Sequence, residues 1–134
     1  MAGVIVPEPG PLTRGYWEQA REGRLVLQHC RDCGWSGHPP LPRCPHCHGA
    51  DLGWHEASGE GTVYSFTVVH HATHAALASR VPYIIAIVQL AEGPRVVSGI
   101  PGAAPGDVAV GMPVRVTFEE VTPGVTLPQF TPAS

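Results

Sequence analysis

Four cysteines carry the clearest chemistry in this sequence. They form two pairs, Cys30 with Cys33 and Cys44 with Cys47, and ten residues separate the pairs. Two residues between the members of a pair let both sulfur atoms point at one ion, and four thiolates complete a tetrahedral site. The sequence therefore predicts one four-sulfur metal site, with Zn²⁺ as the default ion and iron as a second ion that fits the same ligands.

Two disulfides, or four buried thiols that pair only in sequence, are the competing interpretations. The N-terminus lacks the basic, apolar and small-residue order of a secretory leader, so we expect a cytoplasmic protein whose cysteines stay reduced. Several histidines near the pairs could replace a cysteine, but four cysteines already form a complete ligand set. These histidines are His29, His38, His46 and His48.

A four-cysteine site has a structural role and not a catalytic one, because no coordination position is left for water or substrate. Each Cys-x-x-Cys turn, called a knuckle below, is followed closely by a glycine, Gly34 or Gly49, which suits the positive φ that closes such a turn. Metal binding contributes about 10 to 16 kcal/mol in small zinc modules. We therefore expect the loss of one thiolate to unfold residues 25–55.

Composition indicates a mostly β protein. Sixteen glycines and fifteen prolines among 134 residues favour turns and short strands over long helices. Five short runs are rich in β-branched and apolar residues, and no run is long enough to span a bilayer. The predicted strands are 24–29, 62–69, 83–90, 95–100 and 114–121. Short strands need a closed sheet to hide their edges, so we predict a small barrel of the oligonucleotide/oligosaccharide-binding (OB) type.

One helix is predicted before the cysteines, over residues 13–22, with Thr13 as N-cap and Gly23 as the stop. It carries Tyr16 and Trp17, which either anchor the core or form an interface, and we favour the interface because a small metal module offers little core. The turn at 58–61 marks the boundary between modules. The predicted division is an N-terminal arm and helix over 1–24, a zinc ribbon over 25–57 and an OB-fold barrel over 58–134.

An OB-type barrel also raises the alternative of a protein that binds single-stranded nucleic acid. Tyr64 and Phe66 alternate along one strand and would share a face on which bases could stack. The charge is against this, because the chain has a net charge of −3 and residues 51–134 carry three arginines against seven acids. Nucleic acid is therefore an unlikely partner.

An enzyme built on a histidine-rich stretch is a third hypothesis. His70, His71 and His74 could bind a second metal or act as a base, and Arg80 beside them could hold a phosphate. No paired acid lies close in sequence, so no catalytic residue is assigned, and we do not expect this chain to be catalytic alone.

Taken together, the motifs resemble the DUF35 family, in which a rubredoxin-like zinc ribbon is joined to an OB-fold domain. The resemblance covers about residues 12–132 and depends on ordered elements in both halves. These are Tyr16-Trp17, Gly23-Arg24-Leu25, the two cysteine pairs, Pro39-Pro40, Ser58-Gly59-x-Gly61-Thr62-Val63-Tyr64-Ser65-Phe66-Thr67, Pro82-Tyr83, Gly111-Met112-Pro113-Val114 and Phe130.

This resemblance implies a non-catalytic subunit of an acyl-CoA thiolase, aldolase or hydratase complex. Members of the family look like partners of thiolase-fold proteins, including aldolases that cleave steroid side chains held as CoA thioesters. The metal-binding role is carried over onto Cys30, Cys33, Cys44 and Cys47. The expected state is a hetero-oligomer away from membranes, with Tyr16 and Trp17 at the partner interface.

Overall fold

The computed structural model describes residues 6–133 and contains one α-helix and eight β-strands. Residues 1–5, which begin the predicted N-terminal arm, lie outside the described residues. The predicted mostly β fold with one N-terminal helix is confirmed. The elements are α1 (Arg14–Arg21), β1 (Val26–Cys30), β2 (Ser36–Gly37), β3 (Leu52–Glu56), β4 (Glu60–Val69), β5 (Tyr83–Leu90), β6 (Arg95–Gly99), β7 (Pro113–Thr122) and β8 (Val125–Pro132).

The first sheet holds the cysteine region together. Its order is β2-β1-β3, and both pairings are antiparallel. The central strand β1 ends at Cys30, which lies opposite Leu52 at the start of β3. Strand β1 therefore leads into the first cysteine pair, and β3 leaves the second pair alongside the end of β1.

The second sheet has the order β6-β5-β4-β7-β8, with every neighbouring pair antiparallel. Strict alternation along β5 buries Ile84, Ala86, Val88 and Leu90, as expected for a strand with one face on a core. The two edge strands, β6 and β8, approach each other, and the Ser98 hydroxyl donates to the carbonyl of Pro128 at 3.0 Å. A side chain thus bridges the seam at which the sheet curls round.

The two sheets share one hydrophobic core. Leu25, which directly precedes β1, and Leu27 within it are buried in the same cluster as Val63, Val88 and Phe130 of the barrel. The apolar end of β1 therefore belongs to the barrel, whereas its other end carries a cysteine of the ribbon. The predicted division of the chain between residues 57 and 58 remains a prediction. Hydrophobic packing between residues on either side of it joins the two modules.

Helix α1 is one residue shorter at each end than predicted. Thr13 occupies the N-cap position, but its hydroxyl accepts from the amide of Gly10 at 3.0 Å and makes no cap bond to the helix. At the other end the amide of Gly23, with φ of +78°, donates to Ala20, which is buried. The helix packs against β8 and β1, and the Trp54 indole of β3 lies against Gly15.

Two local features differ from the sequence-based expectations. The turn predicted over 58–61 is shorter, because β4 begins at Glu60 after Gly59, whose φ is +85°. Strand β8 was missed, since Pro128 and Pro132 interrupt its strand pattern. The loop between β4 and β5 contains a 3₁₀ turn over Ala75–Leu77. None of the helices within residues 6–133 has the length and hydropathy that crossing a bilayer requires.

Glu92 ties the connection between the sheets to the β5–β6 turn. Its carboxylate accepts from the Ser58 amide at 2.7 Å. Burial acts to raise the pKa of Glu92, but the amide hydrogen bonds outweigh it, so the pKa lies below its ordinary value. A lowered folded-state pKa stabilises the fold above pH about 4.5, and this contribution is lost as the pH falls through the folded-state pKa.

We expect Glu92→Ala to lower the free energy of unfolding at pH 7 by at most about 1 kcal/mol, because the contact is exposed. The deficit should narrow as the pH falls below about 4.5. Urea unfolding at a series of pH values measures this, with Glu56→Ala, an exposed carboxylate at the end of β3, as the matched control. A deficit that is constant with pH, or is shared by the control, contradicts the assignment.

Candidate metal centre

The structure brings together the four sulfur atoms that the sequence predicts as ligands. All four lie within 4.8 Å of one another, with 3.6 Å between Cys30 and Cys47 and 3.6 Å between Cys33 and Cys44. A tetrahedral ion with metal–sulfur bonds of about 2.3 Å spaces its ligands about 3.8 Å apart. The four cysteines are free thiols, so the arrangement favours one metal site over two disulfides.

The two knuckles have the same backbone plan. In the first, the Gly34 amide donates to the Cys30 carbonyl at 2.9 Å, and in the second the His48 amide donates to the Cys44 carbonyl at 2.9 Å. Gly34 has φ of +83°, as predicted, but the residue with positive φ in the second knuckle is His48, at 65°. The expectation that Gly49 closes this turn was therefore wrong, because the equivalent position lies one residue earlier.

Gly49 instead makes room for the ligands. A Cβ atom at this position would lie 2.6 Å from an Asp32 carboxylate oxygen and 3.2 Å from the Cys47 sulfur. Its amide also donates to that sulfur at 3.4 Å. The glycine is thus required by the close approach of the second knuckle to the first, and not by its own backbone angle.

Amide groups of the second knuckle point at its sulfur atoms. The Cys44 sulfur accepts from His46 at 3.3 Å and from Cys47 at 3.4 Å. Although burial acts to raise it, these donors lower the pKa of Cys44 to about 7. The Trp35 amide acts to lower the pKa of Cys33, but desolvation and hydrogen bonds with the other three thiols together outweigh it and raise the pKa to about 12.

These opposite shifts have a simple cause. Sulfur atoms 3.6 Å apart cannot all become negative without a cation between them, so ionisation of one thiol opposes that of its neighbours. A divalent ion removes this conflict and lets all four ionise together. The donor set therefore fits a divalent metal with an affinity for sulfur.

Access to the site is uneven. Cys30 and Cys44 are buried, whereas Cys33 and Cys47 are exposed. Among the described residues, no other group of three or more potential ligands lies this close together. Two of the nearby histidines make contacts away from the sulfur atoms. The His29 ring lies 3.1 Å from the Ser36 hydroxyl, and the His38 ring packs against Tyr16 with their centroids 5.3 Å apart.

The ten-residue segment between the knuckles is fixed by Gln28, a buried side chain on β1. Its amide donates to the Leu41 carbonyl and accepts from the Leu41 amide, both at 2.8 Å. This pair of bonds imitates a strand partner for a segment rich in proline, which cannot form a regular ladder. The spacer therefore has a defined position although it has little secondary structure.

Tyr16 and Trp17, the predicted interface residues, are both half-buried on α1. Their rings meet edge to face with centroids 5.0 Å apart, and Tyr16 also packs against the hydrophobic core. Burial raises the pKa of Tyr16 to about 12. The two side chains line a groove of about 410 Å³ with Pro39, Pro40 and residues of β6 and β8. An interface role remains a prediction.

The histidine-rich stretch does not form a site. His70, His71 and His74 are exposed, and the His74 ring accepts from the Ala76 amide at 2.9 Å, which caps the short 3₁₀ turn. Arg80 lies 3.8 Å from the carboxylate of Glu119. These contacts explain the residues as parts of a surface loop.

Tyr64 and Phe66 lie on opposite faces of β4, contrary to expectation. The register of β4 against β5 shifts between Val63 and Ser65, and this bulge places Tyr64 outside while Phe66 packs against the core. The guanidinium of Arg95 covers the Tyr64 ring, 3.8 Å from its centroid. The predicted pair of stacking rings is therefore not formed.

Two family models divide the chain between them. The model described as the ChsH2 rubredoxin-like zinc ribbon domain matches residues 17–53, and the model described as the ChsH2 C-terminal OB-fold domain matches residues 54–119. Both predicted modules, ribbon and OB fold, are thus confirmed.

Similar proteins fall into two groups. A probable enoyl-CoA hydratase alpha subunit of Thermomonospora curvata is 45% identical over 118 residues, and the 3-oxo-4,17-pregnadiene-20-carboxyl-CoA hydratase alpha subunit of Mycobacterium tuberculosis is 40% identical over 115 residues. These matches cover 88% and 86% of this chain but 36% of each relative. A DUF35 domain-containing scaffold protein of Methanocaldococcus jannaschii is 34% identical over 107 residues, which are 78% of this chain and 75% of that protein.

Solved structures agree with this grouping. A chain in the structure of an Ltp2-ChsH2(DUF35) aldolase superposes with a TM-score of 0.88 at 42% identity, covering 96% of this chain and 99% of that one. A DUF35 protein of unknown function from Sulfolobus solfataricus shares the fold, with a TM-score of 0.65 at 19% identity, covering 92% of this chain and 87% of that one.

The positive φ shared by Gly34 and His48 predicts a loss of stability when glycine is replaced in the first knuckle and almost none when glycine is introduced in the second. Gly34→Ala should cost about 1 to 2 kcal/mol, because alanine is strained at this φ although nothing lies within 4 Å of the new Cβ. His48→Gly should change the free energy of unfolding by less than about 0.5 kcal/mol, since relief of strain offsets the entropy that glycine adds to the unfolded chain. Urea unfolding with metal analysis measures both, and equal losses in the two variants would contradict the assignment.

Proposed function

The chain belongs to the DUF35 family, and we propose that it is a non-catalytic, zinc-binding subunit that docks on a thiolase-fold acyl-CoA enzyme. The observation that carries this proposal is the match, over nearly the whole length of both chains, to a chain of the Ltp2-ChsH2(DUF35) aldolase. The hydratase alpha subunits are similar over a third of their own length only, so their activity belongs to proteins with further sequence.

Zinc is the proposed ion. Cys30, Cys33, Cys44 and Cys47 would hold it, and bound zinc would supply a structural cross-link between the knuckles. Four sulfur ligands suit zinc without redox chemistry, and iron is the alternative ion for the same set. Other groups of the chain also fix the site. Backbone amides stabilise the Cys44 sulfur, and the Gln28 side chain holds the spacer in place.

The proposed role in a complex is to support the partner and not to perform its chemistry. A four-cysteine site leaves no coordination position for a substrate. His70, His71 and His74, the candidate bases, lie on an exposed loop. Hetero-oligomerisation with an aldolase or hydratase of acyl-CoA substrates is supported by the relatives, and a thiolase-fold partner is the more specific proposal.

Nucleic-acid binding is the less supported function. Of the two rings proposed for stacking, Phe66 is in the core and Tyr64 is covered by Arg95. The net charge of −3 gives no general attraction to phosphate. The barrel is therefore better explained as a protein-binding module.

We expect one zinc ion per chain by elemental analysis. Cys44→Ser should lose the ion and melt the ribbon, because about 10 to 16 kcal/mol of metal binding is removed. Since Leu25, just before β1, and Leu27 within it also pack into the barrel, the barrel should lose stability too. The fluorescence of Trp35 and Trp54, which lie in the ribbon, follows the melting of the ribbon. Near-ultraviolet circular dichroism during urea unfolding follows the stability of the barrel. Stoichiometric iron would replace zinc in the proposal, and a metal-free chain with an unchanged fold would end it.

Co-expression tests the partner. The tagged chain is co-expressed with thiolase-fold proteins from its own organism and should co-purify with one of them at a fixed ratio on size-exclusion chromatography. Hydratase subunits from the same organism form the second arm of the test. Cys44→Ser, which melts the ribbon, should reduce recovery of the complex. A chain that remains monomeric, with wild-type zinc content, in the presence of both candidates argues against the proposed function.

A further inference from the structure

The groove beside Tyr16 and Trp17 has an unusual lining. It lies between α1, the spacer of the ribbon and the β6–β8 seam, and measures about 410 Å³. Its walls include two aromatic rings, three prolines and two aliphatic residues, which are Tyr16, Trp17, Pro39, Pro40, Pro128, Val97 and Leu127. Thr13, Ser98 and Gln129 add uncharged polar side chains.

The groove carries no net charge. No lysine, arginine, aspartate or glutamate lines it, and its one titratable histidine, His38, has its pKa lowered by burial, so the imidazole is neutral at pH 7. Val97 is 69% exposed on the rim. An occupant that is itself uncharged and apolar is therefore favoured over a charged one.

The polar groups that the aromatic rings offer are donors. The hydroxyl of Tyr16 and the indole N–H of Trp17 make no hydrogen bond to any residue of 6–133, and neither is among the fully buried unpaired atoms of that range, so neither is completely closed off from the groove. Because the pKa of Tyr16 is raised, its hydroxyl keeps its proton. The groove thus pairs apolar walls with two free donors of partial positive charge.

An extended proline-rich segment has the complementary properties. In the polyproline II conformation the backbone makes no internal hydrogen bonds, its carbonyl oxygens point outward with partial negative charge, and proline brings no competing N–H. Grooves lined by aromatic side chains bind such segments because little conformational entropy is lost. We propose that this groove binds an uncharged, proline-rich extended segment of the partner subunit.

This chain has a proline-rich arm of its own, at Pro7, Pro9 and Pro11. The arm carries Glu8 in its middle, and the groove has no basic residue to pair with that carboxylate. A segment from another protein is therefore the better occupant. The inference rests on the proposed function for the identity of the partner, but the chemistry of the groove can be tested without it.

The direct test uses decaproline as the probe and a glycine-serine decapeptide as its control. Decaproline should shift the Trp17 indole signal in ¹H–¹⁵N spectra of the zinc-loaded chain saturably, whereas the control peptide should not. Trp17→Ala should weaken binding at least about 10-fold, and Trp17→Phe, which keeps the ring but loses the donor, about 5-fold. Shifts that are absent, or equal for both peptides, overturn the proposal.

Two matched substitutions guard against unfolding. Val97→Asp places a charge on the groove rim, and Val110→Asp places the same charge at a residue that is outside the groove and 68% exposed. Only the first should abolish decaproline binding, with zinc content and circular dichroism unchanged in both. Equal behaviour of the two variants contradicts the assignment.

The same variants separate this inference from the proposed function. If the wild-type chain co-purifies with its partner and Val97→Asp does so equally well, the groove inference fails while the function stands. If decaproline binds but no acyl-CoA enzyme co-purifies, the partner identity fails and the groove chemistry stands. Concentration-dependent self-association that Val97→Asp removes would assign the groove to the arm of a second copy and overturn the partner assignment.

Discussion

The convergence of four sulfur atoms is the constraint on which the rest of this structure depends. The ribbon has only short strands, one of them two residues long, and burial alone cannot hold such elements. Sulfur atoms 3.6 Å apart repel one another once ionised, so the same contacts that define the site need a cation to be stable. A metal held by these four sulfur atoms would therefore couple its own binding to the folding of the ribbon.

The effect of the site extends beyond the cysteines because of β1. This strand ends at Cys30, and Gln28 in its middle holds the spacer. Leu27, together with Leu25 just before the strand, packs into the core of the barrel. The position of Pro39 and Pro40 beside α1 thus follows from where the knuckles are held. The groove formed there combines parts of the helix, the ribbon and the barrel.

Sequence patterns identified the features that rest on local chemistry. Cysteine spacing predicted which sulfur atoms come together, and β-branched runs predicted β4 to β7. Errors arose where tertiary packing overrides local preference. Strand β8 contains two prolines and is accepted because it lies at a sheet edge, and the β4 bulge reverses the face of Tyr64 relative to simple alternation. The left-handed backbone of His48 has only a weak signal in its residue type, because histidine is enriched at positive φ but far less than glycine.

The sharing of β1 limits how this protein can be divided or recombined. Family models separate the chain between residues 53 and 54, but a barrel cut there would lack two leucines that fill its interior. Grafting the barrel onto another protein therefore requires residues 25–27 to travel with it or to be replaced by equivalent apolar side chains. The ribbon and the barrel are thus one packing unit, even though each matches a separate family model.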